Sequence, residues 1–294
     1  MTHLSKTRWA LALLALPALL SAQVMVKPLA VPPSPDPRVG LKAGLFDAGE
    51  AIWNLKKVGH IVSPDSFKGI TNSDLAFYKN YVIQGNYNGF QIWDVSNPSA
   101  PAVRDTTICP ASQSDVSVYS HYLFVSAEAP TARMDCGTRA DTNVVSMIRI
   151  RGLRIFDITD IAHPKYLANV QTCRGSHTHT VVHDPKDSSV VYVYISGTSA
   201  IRPTEELSRC VGNPYDPNTS NFRIEVIKIP LDHPEQAAVV SSPAIFADPT
   251  NGVAQALLYP CDRSTASCVS GAPEAHAASP LDTANNRRRA QFDT

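Results

Sequence analysis

The chain has 294 residues, of which 44% are hydrophobic and only 18% are charged, so it can bury a large core. Lys and Arg together number 26, as do Asp and Glu, and this balance excludes the basic excess that nucleic-acid binding requires. Its 23 prolines against 14 glycines favour short elements separated by turns over long helices.

The N-terminus has the pattern of a secretory signal peptide over residues 1–22. Lys6 and Arg8 precede an apolar run at residues 9–20, and Ser21-Ala22 offers small residues for cleavage. The alternative is an uncleaved anchor, although this run is shorter than the roughly 20 residues of a membrane span. We therefore expect a secreted, periplasmic or cell-surface protein that has no membrane span after cleavage of the signal.

Three further regions follow the signal. Residues 23–50 hold five prolines between Pro28 and Pro37, which predicts a linker with extended polyproline geometry. Residues 51–246 are rich in strand-length apolar segments. Residues 247–294 are predicted to be a polar loop region that leads to further repeats not contained in this sequence.

An internal repeat is the main structural signal. Units that begin at Ser73, Ser114 and His179 each contain four short segments rich in Val, Ile, Tyr and Phe. Once an insertion of about 22 residues is removed from the second unit, the period is about 41 residues, which is typical of propeller blades. The prediction is an all-β protein, a β-propeller of four-stranded blades; the alternative is a β-sandwich.

The third segment of each unit shows the repeat most clearly. Residues 89–95 read GFQIWDV and residues 152–158 read GLRIFDI. Asp94 and Asp157 are predicted to bond the backbone ahead of them and so begin a turn. The third unit departs from this pattern, because Lys228 aligns with the aspartates.

These segments resemble a known family. IWDVSNPSAP and LRIFDITDIAHP are similar to the LVIVD repeat of exported bacterial and archaeal proteins, and the resemblance covers roughly residues 50–246. It implies a β-propeller at the cell surface or beyond. It implies no activity, because the family is defined by its repeat.

The number of blades is too small for a closed ring. About three blades are present, and Trp53 to Val62 resembles an orphan outer strand. Because rings need about four to eight blades, we expect the propeller to be incomplete in this chain, which would then be part of a longer reading frame.

The six cysteines fall at equivalent places in the repeat. One cysteine ends a unit and the next lies in the insertion of the following unit, so the repeat predicts three disulfides: Cys109–Cys136, Cys173–Cys210 and the local pair Cys261–Cys268. The alternative is metal binding, but the chain has no C-x2-C pair.

The strongest candidates for ligand-binding residues are His177 and His179. Residues two apart in a strand share a face, so both imidazoles could hold a divalent metal, the one cofactor that the sequence suggests. Asp74 and Asp115 start the equivalent strands and could contribute to the same site. The alternative for all four is a polar start to an inner strand that caps the backbone.

Two functions from different classes follow. The first is a binding or scaffold module that presents the insertions at residues 127–151 and 198–220 to an extracellular protein or glycan. The alternative is a metal-dependent, hydrolase-like enzyme that uses His177 and His179. No catalytic motif is present, so the catalytic residues are unknown; Glu205-Glu206 are predicted to begin a short helix in the second insertion.

Overall fold

The computed structural model describes residues 31, 33–44, 47–213, 215–250 and 252. The predicted signal peptide, the Cys261–Cys268 pair and nearly all of the predicted polar region at residues 247–294 lie outside these residues. The chain divides into two compact units, residues 1–58 and residues 59–294. No helix in the described part of the chain has the length and the apolar character needed to cross a membrane.

The described residues of the first unit contain no strand or helix. Residues 37–40 form a turn, in which the Val39 amide bonds the Asp36 carbonyl at 3.0 Å and the Arg38 amide bonds the Asp36 carboxylate at 2.9 Å. The expectation of continuous polyproline geometry is therefore wrong at this point, because Asp36 closes a turn with its side chain. Residues 53–62, which resemble an orphan outer strand, form no ladder with the described part of the chain.

The second unit contains three antiparallel four-stranded sheets, and the only helix described there is the 3-10 turn Pro234–Gln236. The first sheet consists of β1 Asn72–Tyr78, β2 Tyr81–Asn86, β3 Gly89–Asp94 and β4 Ala102–Ile108. The second sheet consists of β5 Val116–Tyr119, β6 Tyr122–Ala127, β7 Gly152–Asp157 and β8 Lys165–Gln171. The third sheet consists of β9 Thr178–Asp184, β10 Asp187–Ser196, β11 Glu225–Pro230 and β12 Ala238–Ser241.

The sheets pack face to face in chain order. One apolar cluster joins the first and second sheets, with Ile83 and Phe90 meeting Leu123 and Phe156. A second cluster joins the second and third sheets through Phe124, Ile155, Val193 and Ile227, among other residues. Strand β1 lies against β5, and β5 lies against β9, so the first strands of the three sheets are neighbours. This is the arrangement of consecutive propeller blades, and it confirms the predicted all-β fold class.

The turn after each third strand follows the prediction. Asp94 accepts a bond from the Ser96 amide at 2.9 Å, and Asp157 accepts one from the Thr159 amide at 2.7 Å. In the third sheet, Lys228 pairs with Tyr192 in the middle of β11, and Pro230 ends the strand where the other units have Asp. The alignment of Lys228 with the aspartates is therefore wrong by two residues.

The described residues contain two disulfides, Cys109–Cys136 and Cys173–Cys210. They close loops with sequence separations of 27 and 37 residues. Each joins the end of one sheet to the insertion of the next, as the repeat predicts. On the chain-entropy model, such bonds stabilise the fold chiefly by restricting the unfolded ensemble.

Candidate functional site

The four residues predicted as ligands come together around Asp115. The His179 amide lies 3.4 Å from Asp115 Oδ2, and the charges of Asp74 and His177 both act on the Asp115 carboxyl. Asp74 belongs to β1, Asp115 immediately precedes β5, and His179 belongs to β9. The site forms because the first strands of the three sheets are adjacent. We call these four residues the axial cluster.

His179 is the buried member of the axial cluster, with 8% of its surface exposed. Its Nδ1 lies 2.9 Å from the hydroxyl of Ser126, which in turn lies 2.8 Å from the hydroxyl of Ser176. Its Nε2 is buried without a hydrogen-bond partner. A buried ring nitrogen of this kind is a group that a ligand donor or a cation would satisfy.

His177 lies just before β9 and has a different partner from His179. Its Nδ1 is 2.6 Å from Glu128 Oε2, and its side chain is 39% exposed. The other carboxylate oxygen of Glu128 accepts bonds from the Thr198 amide at 2.6 Å and from the Ser199 amide at 3.0 Å. Glu128 and Thr198 begin the two insertions, so His177 connects the axial cluster to both of them.

Burial and like charge shift the pKa values of the axial cluster. Burial, followed by the negative charge of Asp74, raises the pKa of Asp115 to about 6. Burial lowers the pKa of His179 to about 4, and Asp74 only partly opposes this shift. At neutral pH His179 is therefore uncharged, and Asp115 changes its charge in mildly acidic solution.

We predict that Asp115→Asn makes stability rise more steeply with pH between pH 4 and 6. The raised pKa of Asp115 favours the folded state at low pH, and this stabilisation is lost as pH rises toward 6. The lowered pKa of His179 acts in the opposite sense, because stability is lost as pH falls from 6.5 toward 4. Of these two opposing contributions to stability, the Asp115→Asn variant keeps only that of His179. Denaturant titrations at several pH values will measure the resulting slope of stability against pH.

The matched variant is His179→Gln, for which stability should rise less steeply with pH than in the wild type over the same range. Equal pH slopes in the wild type and both variants would contradict the assigned environments of the two groups. Other titrating groups are shared by all three proteins, so the comparison of slopes cancels their contributions.

The described residues contain no three His, Cys, Asp or Glu side chains placed to hold a metal ion. The two histidines have different partners, since Glu128 bonds His177 and Ser126 bonds His179. Sequence reasoning missed both partners. Position in the repeat offered a signal for them, since Ser126 is the last residue but one of the second strand, β6, and Glu128 directly follows that strand.

A second group of buried polar residues joins the two insertions, which run from residue 128 to 151 and from 197 to 224. Glu206 accepts bonds from Arg149 Nη1 at 2.6 Å, the Ser146 amide at 2.8 Å and Arg202 Nε at 2.9 Å. Its side chain is fully buried, and those of Arg149 and Arg202 are at most 5% exposed. The expected helix at Glu205 is wrong: residues 204–206 form a single turn, and Glu206 faces inward.

The two insertions form one surface above this group, which we call the insertion platform (residues 128–151 and 197–224). Its first half exposes Val144 at 86% and Met147 at 70%, with Val145 and Ile148 beside them. A cavity of about 230 Å³ lies between the first insertion and the preceding sheet, and it is lined by Tyr87, Ala111, Ala132 and Thr138, among others. An exposed apolar stretch on a fixed loop is typical of an interaction surface.

Comparisons with known proteins bear on the repeat. A family model described as LVIVD repeat matches residues 71–106, which nearly coincide with the first sheet. The chain is also similar to the crystal structure of Citrobacter koseri AztD, at 11% identity and a TM-score of 0.21. That similarity covers 60% of this chain and 58% of AztD. No curated protein matches. The match to the LVIVD repeat model is therefore confined to residues 71–106 and falls on the first of the three four-stranded sheets.

Proposed function

We propose that this chain is an exported binding module and that the insertion platform is its binding surface. The observation that carries the proposal is the buried Glu206 group, which fixes two long insertions against each other. Ordering long loops costs conformational entropy, so a surface that is ordered before it meets its partner binds with a smaller cost.

Two kinds of bond hold the platform. Glu206 with Arg149 and Arg202 ties one insertion to the other, while the two disulfides tie each insertion to the preceding sheet. Disulfides persist in oxidising compartments, which supports the proposed location outside the cytoplasm, whether secreted, periplasmic or at the cell surface.

We favour a protein as the partner over a glycan. Among the large apolar side chains of the platform, Val144 and Met147 are the most exposed, at 86% and 70%. Apolar residues at the centre of a contact are typical of protein partners, and Met adapts its shape to a partner surface.

The test is a double variant, Val144→Asp with Met147→Asp, used as bait against extracellular and envelope proteins of cells that express the gene. Both residues are exposed, so the fold should be unchanged, which circular dichroism and thermal unfolding will check. We expect proteins that wild-type bait enriches in quantitative mass spectrometry to be lost with this variant. Lys186→Glu, in the exposed turn between β9 and β10, is the matched control. Equal capture by all three baits would overturn the proposal.

The metal-dependent, hydrolase-like enzyme stays a prediction. Its support is limited to the unpartnered Nε2 of His179 and to the carboxylate of Glu128 on His177, which resembles the way carboxylates orient metal-binding histidines. Elemental analysis of wild-type protein and of His179→Ala would decide it, since a bound metal should be stoichiometric in the first and lost in the second.

A further inference from the structure

We propose that the axial cluster is a binding site for a guanidinium group, with the carboxylates of Asp74 and Asp115 and the Nε2 nitrogen of His179 as its hydrogen-bond acceptors. These residues lie at the first strands of the three sheets and are not part of the insertion platform. The proposal therefore stands or falls independently of what the platform binds.

A chain of hydroxyl groups fixes the position of the proton on His179. Ser176 donates its one hydroxyl proton to the carbonyl of Thr178 at 3.2 Å. Ser126 lies 2.8 Å from the Ser176 hydroxyl and must therefore donate to it, which leaves Ser126 to accept from Nδ1 of His179 at 2.9 Å. In the uncharged imidazole, Nδ1 thus carries the proton and Nε2 presents a lone pair.

This lone pair is buried and unused. Only 8% of the surface of His179 is exposed, and its Nε2 has no hydrogen-bond partner in the described part of the chain. Because Nδ1 faces Ser126, Nε2 points away from that serine, and the charge that acts on the imidazole is that of Asp74. A buried acceptor without a donor costs free energy, so this nitrogen favours a ligand that brings an N–H or O–H group.

Two carboxylates accompany this nitrogen, and neither has a cation beside it. Asp115 Oδ2 lies 3.4 Å from the amide of His179, and burial followed by the negative charge of Asp74 raises the pKa of Asp115. None of the ion pairs among the described residues includes either carboxylate. Adjacent negative charges repel each other, and a positive group near both relieves this repulsion. The ligand is therefore a cation.

The arrangement favours an extended organic cation over a metal ion. A metal ion needs ligand atoms that converge on one point, and the described residues contain no group of three such side chains. A guanidinium distributes five N–H donors over a planar fork, so it can bond acceptors that lie apart from one another. It binds one carboxylate through two parallel bonds and keeps further N–H groups for the second carboxylate and for Nε2 of His179.

The site is open to solvent at one end. Asp74 is exposed and the side chain of His177 is 39% exposed, whereas His179 forms the buried end. A guanidinium that enters from solvent belongs either to a small molecule or to an arginine side chain of a partner protein. The chemistry of recognition is the same for both sources, and the experiment separates them.

The test is a calorimetric titration of the full chain with three probes. Agmatine supplies a free guanidinium, a pentapeptide with one arginine among glycines supplies the same group on a side chain, and tetramethylammonium supplies positive charge without N–H donors. We expect one molecule of agmatine or of the peptide to bind per chain, and tetramethylammonium not to bind. The tighter of the two guanidinium probes identifies the source.

Variants assign the binding to the axial cluster. Asp74→Asn and Asp115→Asn preserve the shape of the side chain and remove its charge, and each should weaken binding by about tenfold or more, because hydrogen bonds to charged groups are the strongest. His179→Phe removes the lone pair and should also weaken binding. Glu205→Gln, which removes an exposed carboxylate elsewhere, is the matched control and should bind as the wild type does.

Circular dichroism will show that each variant is folded, and the exposed position of Asp74 makes Asp74→Asn informative even if His179→Phe does not fold. The proposal is overturned if neither guanidinium probe binds, if tetramethylammonium binds equally well, or if Asp74→Asn has the affinity of the wild type. A stoichiometric metal ion that is lost in His179→Ala would also overturn it, because the metal would then occupy Nε2.

Discussion

Glu206→Ala is expected to lower the free energy of unfolding by about 3–5 kcal/mol. Glu206 accepts bonds from two arginines, Arg149 at 2.6 Å and Arg202 at 2.9 Å, and from the amide of Ser146 at 2.8 Å. The substitution leaves Arg202 buried without its carboxylate partner, and it leaves Arg149 with only the more distant carboxylate of Asp141 at 4.0 Å. Since removal of one partner costs more than the pair contributes, the loss exceeds that of an ordinary surface ion pair. Denaturant unfolding under oxidising conditions will measure it.

The neighbouring residue provides the control. Glu205 is exposed, so Glu205→Ala should change stability by less than about 0.5 kcal/mol. Glu206→Gln keeps the shape and loses the charge, and it should fall between the two. If Glu206→Ala and Glu205→Ala unfold alike, the insertions are not fixed by this group, and the main support for the binding platform fails.

The sequence was sufficient for those features that the repeat carries. The period located the three sheets, and the turns after Asp94 and Asp157 follow from the ability of Asp to bond the backbone two residues ahead. The pairing of Cys109 with Cys136 and of Cys173 with Cys210 follows because equivalent positions in successive blades lie at the same end of the sheet.

The sequence was insufficient where long-range contacts decide. The alignment of Lys228 failed because the third strand of the third unit lacks the Asp that marks its end, and only the ladder to β10 fixes its register. The sequence predicts that Glu205 and Glu206 begin a short helix, and nothing local indicates that Arg149 approaches Glu206 from 57 residues away. The pairing of His177 with Glu128 has the same origin, since the partner lies in another sheet's insertion.

Arg154 shows how the repeat and long-range contacts combine. It occupies the position of Gln91 in the first sheet, and both residues are fully buried on an otherwise apolar strand. The Arg154 guanidinium donates to the carbonyls of Cys109 and Arg133, each at 2.8 Å. A polar residue at the same place in two units thus joins its sheet to neighbouring segments. In the second sheet, this residue is Arg154, which bonds the carbonyl of Cys109, one half of the first disulfide.

Gly152→Ala is expected to lower the free energy of unfolding by about 3–4 kcal/mol, more than backbone strain alone would cost. Gly152 has a φ of +150°, a conformation that L residues rarely adopt. An added Cβ would lie 1.9 Å from the carbonyl oxygen of Val170 on the adjacent strand β8. Backbone rather than a flexible side chain occupies this space, so the ladder between β7 and β8 must shift.

The equivalent glycine of the first sheet supports the same reasoning. Gly89 has a φ of +139°, and a Cβ there would lie 2.0 Å from the carbonyl oxygen of Thr107, so Gly89→Ala should cost a similar amount. Gly212 is the control, because an added Cβ meets nothing within 4 Å and Gly212→Ala should be nearly neutral. Denaturant unfolding of the three variants will test the assignment. Equal stability of all three would show that the glycine opening the third strand is not a structural requirement of this repeat.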